Sequence, residues 1–182
     1  MPALRTSRER QQGATAIEFA ALFGLFFLML YAIIAYSIPL LLTLTFKQVS
    51  ADAARAAIKV DPALEASVYP QIVSREVSQV VAQSWLPAHW VDGNCPEPDS
   101  EHSWVALPVD GQASYGYLAA ENLGPTRVRY LLHVCLQRPY NRTGPDHERA
   151  IIPVLELFGV SLPLLPNEDG NVVIRGQTTI RL

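Results

Sequence analysis

Hydrophobic positions fill the chain from Phe19 to Phe46 without one charged side chain, a run of 28 residues. At about 1.5 Å rise per residue, a helix of that length exceeds a hydrocarbon core of roughly 30 Å. Beyond it, Phe46, Val49, Ala53, Ala56, Ala57 and Val60 keep near-helical spacing while Lys47, Gln48, Asp52, Arg55 and Lys59 fall mostly elsewhere. The membrane-length helix is therefore predicted to continue as an amphipathic one. Pro39 removes a backbone donor and is expected to interrupt and bend this rod. Ala51, Ala53, Ala54, Ala56 and Ala57 either admit a close neighbour or simply favour helix.

Asp61-Pro62 reads as an N-cap followed by proline in the first helical position, so a second helix is predicted to start there, with Pro70 breaking or restarting it. Val73, Val77, Val80, Val81 and Trp85 then form an apolar stripe of period near 3.6, ending before Pro87. Pro87 to Asp110 reads as loop with a short strand around Trp104 to Leu107. From Arg127 to Leu136 a strand is predicted in which Val128, Tyr130, Leu132 and Val134 alternate with Arg129, Leu131, His133 and Cys135. Val172 to Leu182 is the second strand, with Gly176 as a candidate bulge. Between them, Pro139 to Pro166 is a turn-rich excursion with an apolar patch, Ile151 to Leu165, whose prolines at 145, 153, 163 and 166 restrict any helix to about two turns. The expected plan is α+β: a long N-terminal transmembrane helix continuing as an amphipathic helix, a second short helix, then a small antiparallel β-sheet domain.

Charge changes the picture by giving a direction. Arg5, Arg8 and Arg10 precede the apolar run against a single Glu9, whereas Lys47 and Arg55 are mixed with Asp52 after it. This asymmetry predicts a cytoplasmic N-terminus, with the 136 residues from Lys47 onward on the other side. The apolar run is too long for a secretory signal peptide, and Ala51-Asp52-Ala53 comes too late to be its cleavage site. From Lys47 on there are 11 basic and 15 acidic residues, a net charge of −4. That balance argues against nucleic acid as a partner, because phosphates demand a basic face. The region is of ordinary single-domain size.

Both cysteines, Cys95 and Cys135, fall in the part expected outside the cytoplasm, where an even number of thiols suggests a disulfide. Closing a loop of that length stabilises by roughly 4 kcal/mol on the chain-entropy model. The alternative is two reduced, separately buried thiols; neither a C-x-x-C motif nor metal spacing is present.

Catalytic constellations are missing. The chain has no P-loop, no G-x-G-x-x-G, no H-E-x-x-H and no G-x-S-x-G. Gly111-Gln112-Ala113-Ser114-Tyr115-Gly116 has the wrong spacing for the last and reads as a turn entering a strand. His89, His102, His133 and His147 are scattered, so neither metal nor other cofactor is expected. Asp92, Glu97, Asp99 and Glu101 bracket Cys95 without EF-hand order, which favours a solvated acidic loop over a calcium site. Asn141-Arg142-Thr143 is a formal glycosylation triplet that reads as chance. Trp85, Trp90 and Trp104 suit core or interface packing better than a sugar platform. No enzymatic activity is expected.

Glu18 is the anomaly. A charge in a membrane segment costs on the order of 2.5 to 3.5 kcal/mol at its centre and less near the interface, so the default reading is functional. Were the bond between Gly13 and Ala14 cut, the new ammonium on Ala14 would lie one helical turn from Glu18. The competing reading puts Glu18 at headgroup depth in the first helical turn, favoured there by the macrodipole.

Arg10-Gln11-Gln12-Gly13-Ala14-Thr15-Ala16-Ile17-Glu18-Phe19-Ala20, the apolar run, and Phe46-Lys47-Gln48-Val49 leading into Ala53-Ala54-Arg55-Ala56-Ala57 resemble TadE-like (TadE/TadF) proteins, the minor pseudopilins of tight-adherence (Flp, type IVb) pilus systems. The resemblance covers roughly residues 8 to 60. Ile151-Ile152-Pro153-Val154 through Thr178-Thr179-Ile180-Arg181-Leu182 also looks like the family's usual ending. Gly24 stands where many relatives have proline, and the span is longer around Ser37 to Leu44. The resemblance implies a processing site of Gly13, Ala14, Glu18 and Phe19, at which an aspartic prepilin peptidase of the bacterial inner membrane cuts after Gly13. It implies a cytoplasmic leader of residues 1–13, a transmembrane and amphipathic spine of 14–60, and a periplasmic α+β domain of 61–182. The implied partners are the peptidase, other pilins or pseudopilins of the same system, and inner-membrane lipid, with helix association through Ala20, Ala21 and Gly24. The alternatives are a signal-anchored periplasmic ligand-binding or hydrolytic domain and a type II secretion pseudopilin.

Overall fold

The computed structural model describes residues 8–108, 114–124, 128–146, 148–157, 159–163, 165, 167–168 and 171–182. Helix α1 runs unbroken through Arg8–Ala57, 50 residues. Its stretch Ala14–Ala57 has a mean hydropathy of 2.4 in its most apolar window and is long and apolar enough to cross a membrane. Pro39 does not interrupt it. The Thr43 hydroxyl donates to the Pro39 carbonyl at 2.9 Å, and Pro39 itself is buried against the rest of the molecule.

Along α1 the environment changes abruptly. Every residue from Ala14 to Leu30 is exposed. From there on a buried stripe, Ala35, Leu42, Phe46, Val49, Ser50, Ala53 and Ala57, follows the three- and four-residue steps of one helix face. The C-terminal half of α1 is thus the central support of the head rather than a stalk beneath it. Ala53, Ala54 and Ala57 are completely buried, so here the alanines serve close packing.

The chain then turns. The Asp61 carboxylate accepts from the Ala63 amide at 2.9 Å, which caps a turn and not the predicted helix. Helix α2 begins later, at Tyr69–Gln83, with proline in its first turn. Pro70 therefore initiates this helix instead of breaking one, because its missing N–H falls where no intrahelical partner exists. Val73, Val77 and Val81 face inward, whereas Trp85 lies just past the helix and is 69% exposed.

Among the described residues seven strands follow: β1 (Trp104–Ala106), β2 (Gly116–Asn122), β3 (Val128–Pro139), β4 (Leu155–Leu157), β5 (Val160–Leu162), β6 (Asn167–Glu168) and β7 (Asn171–Arg181). The main sheet has the order β1-β2-β3-β7-β6, and β4 and β5 form a separate hairpin. The pairings between these strands are all antiparallel. An α+β architecture results.

Strand β3 does not follow the simple alternation expected of it, since Leu131 to Arg138 are all buried. The sheet is covered on both faces at this strand, as happens to central strands. Leu132, Val134 and Leu136 meet α1 and α2. On the opposite face Leu131 packs with Trp104, Cys135 is bonded to Cys95, and the Gln137 amide donates to the Asn94 carbonyl at 2.7 Å.

Gly176 is not a bulge, for it pairs in register with Leu136. Its role is close approach: a Cβ there would overlap the backbone of Phe46 and Lys47 in α1. A sequence reading of an isolated strand glycine could not see the helix crossing over it.

Candidate functional site

The expected processing motif lies in the first turns of α1. Gly13 is helical, and Ala14, Glu18 and Phe19 are exposed on the same helix, with Ala14 and Glu18 one turn apart. Among the described residues no side chain pairs with Glu18. Phe19, Phe23 and Phe27 form a ladder along one face, with ring centroids 5.7 and 4.6 Å apart. These rings are 50–69% exposed. A charged group followed by bare aromatic rings is an arrangement that water alone does not favour.

The head is held together by a covalent bond and a network of buried polar contacts. The disulfide Cys95–Cys135 bridges 40 positions and ties the loop before β1 to the central strand. Within that loop Asp99 accepts from the amides of Glu101 and His102 at 3.0 and 3.1 Å, from His102 Nδ1 at 3.0 Å and from Trp104 Nε1 at 3.1 Å. The His102 hydrogen bond, followed by those from Trp104 and the backbone, lowers its pKa to about 2. An acidic loop thus uses its principal carboxylate to fold itself. Among the described residues no group of three His, Cys, Asp or Glu side chains could hold a metal ion.

Two charged or titratable groups of β3 are buried. The His133 ring hydrogen-bonds Thr179 through Nδ1 at 2.7 Å, its Nε2 has no partner among the described residues, and burial lowers its pKa. It is therefore held neutral. Arg138 donates to the carbonyls of His89, Asp146 and Arg149 at 3.2–3.4 Å and lies 5.4 Å over the Trp90 ring. It joins the excursion after β3 to the loop after α2. Nothing in the sequence marks this clamp, because an arginine at a strand end ordinarily points to solvent.

The three tryptophans do not share a platform: Trp104 is core, Trp90 lies under Arg138, and Trp85 is exposed. An open groove of about 580 Å³ runs between the start of α2 and β1, lined by residues including Pro70, Val105, Leu118 and Tyr130. Its lining contains no histidine, cysteine or carboxylate. His147 and Gly111 to Ala113 lie outside the described residues.

Sequence reasoning missed one contact. The Tyr31 hydroxyl donates to the Pro153 carbonyl, joining the apolar half of α1 to the excursion between β3 and β7 across 122 positions. No local pattern announces such a pairing.

Together these features define a class: an α+β head built around the C-terminal half of one long helix, whose stretch from Ala14 to Leu30 is exposed, apolar and marked by one acid, Glu18. The TadE-like protein family model matches residues 13–55. The similarity runs from Gly13 through most of α1. No curated protein matches the chain, and no solved structure does.

Proposed function

We propose that this chain is a minor pseudopilin of a tight-adherence pilus, anchored in the bacterial inner membrane by α1 with its N-terminus in the cytoplasm and its head in the periplasm. A prepilin peptidase cuts between Gly13 and Ala14. Glycine suits that position because it adds no side-chain bulk and lets the backbone become extended in the peptidase. The basic leader holds the bond at the cytoplasmic face. Cleavage leaves an ammonium on Ala14, and Glu18 compensates it within one molecule or between neighbours. The exposed helix with its phenylalanine ladder then joins other pilins or pseudopilins, and the chain carries out no chemistry of its own.

The observation that carries this reading is Glu18, one turn after Ala14 and without a side-chain partner among the described residues, on a helix whose next two turns and more are wholly exposed. The processing motif is in a helix, so the peptidase must unwind the first turns of α1 before it can cut. Fraying at a helix end is the cheapest place to do that.

The test is N-terminal sequencing of protein recovered from membranes of cells with and without the peptidase. A start at Ala14 only when the peptidase is present supports the reading. A mature chain still starting at Met1, or one cut at the same bond without the peptidase, overturns it. Gly13→Leu should accumulate as uncleaved precursor and lose pilus assembly, whereas a tethered ligand-binding or hydrolytic protein would keep its activity.

A further inference from the structure

The membrane that α1 would cross and the head that α1 carries compete for the same stretch of helix. The uncharged run Phe19 to Phe46 is 28 residues, about 42 Å as helix, against a hydrocarbon core of roughly 30 Å. Counting about 20 residues from Ala14 places the far boundary near Ile34, and counting from Glu18 places it near Ile38. By either count Tyr31 lies inside that boundary, and Tyr31 is hydrogen-bonded to Pro153 of the head. Ile38, Ile151 and Val154 belong to one packed cluster.

We infer that the excursion around Pro153 and the β4–β5 hairpin lies in the membrane interface on the head side of the bilayer, as a second lipid-contacting element beside α1. This rests on the reading of α1 as the transmembrane anchor. The composition fits: residues 151–166 contain one ionisable side chain, Glu156, and that carboxylate is paired with Arg142. Pro153 and Leu155 are exposed, the latter by 44%. The two short strands satisfy part of their backbone in pairing with each other. Their outer edges still need polar partners, which limits the hairpin to headgroup depth and keeps it out of the hydrocarbon centre. Tyr31, about three to seven residues inside the counted boundary, gives the Pro153 carbonyl its polar partner at the inner edge of the interface.

The test uses the full chain in vesicles of phosphatidylethanolamine and phosphatidylglycerol, with nitroxides on single introduced cysteines; the native pair is disulfide-bonded and remains unlabelled. Leu155→Cys and Pro153→Cys labels should collide more with dioxygen than with a water-soluble nickel chelate. A Phe26→Cys label should do the same, and a Glu65→Cys label the reverse. Aqueous behaviour at 153 and 155 with lipid behaviour at 26 overturns the inference and spares the anchor. Aqueous behaviour at 26 as well removes the anchor and the inference with it. An intact Cys95–Cys135 bond on a non-reducing gel certifies that each labelled chain is folded.

Discussion

Gly176 of β7 lies directly against the peptide joining Phe46 to Lys47 in α1, with no space for a single additional carbon. The contact sits midway along the helix–sheet interface, between Leu42 and Val49 on one side and Leu136 on the other. Phe46 is fully buried there. Gly176→Ala should therefore destabilise the head by about 1–3 kcal/mol through overpacking. Denaturant midpoints in detergent check this, and an unchanged midpoint would show that helix and sheet are not packed as described.

The disulfide is expected to matter thermodynamically. Its ends are 40 positions apart, which on the chain-entropy model corresponds to about 4 kcal/mol. Reduction, or Cys95→Ser with Cys135→Ser, should lower the unfolding free energy by a comparable amount, read from denaturant titrations. The loss would concentrate in the loop before β1, detectable as faster amide exchange there.

Acid should loosen that same loop. Asp99 has a folded pKa of about 2 against an ordinary 3.8, so the unfolded chain binds the extra proton first. The stability it contributes is present above pH 3.8 and is lost as pH falls toward 2. Asp99→Asn should flatten the pH dependence of the melting temperature in that window. His133, whose pKa is lowered by burial from 6.5, acts higher: its contribution is complete above 6.5 and declines as pH falls below it. His133→Gln should remove that upper limb and leave the Asp99 limb in place.

Glu18→Gln tests the charge pairing apart from the cut. The substitution preserves size and leaves Gly13 and Ala14 untouched, so processing should continue while assembly falls. A precursor that accumulates instead would move the role of Glu18 from assembly to recognition by the peptidase.

Several features were legible in the sequence because they depend on neighbours in the chain. The uncharged run determined α1, the alanine-rich continuation determined its amphipathic end, and alternation located β3 and β7. The valine stripe located α2, although Asp61-Pro62 misled about its start: capping chemistry is the same whether a turn or a helix follows.

Other features needed the tertiary structure. A strand's alternation says which side chains share a face but not that both faces will be covered, so the burial of His133 and Arg138 was invisible. An isolated glycine in a strand looks like a bulge until a helix is seen crossing it. Hydropathy could count the residues of α1 without dividing them between a bare stretch and one packed in the head, because a helix face buried in protein and one left exposed are equally apolar here. That division was decided by where the excursion folds back to meet Tyr31, a contact between residues far apart in the chain. The sequence by itself determined that this chain has one long apolar helix with an acid near its start; only the packing of the head decided how much of that helix is left bare.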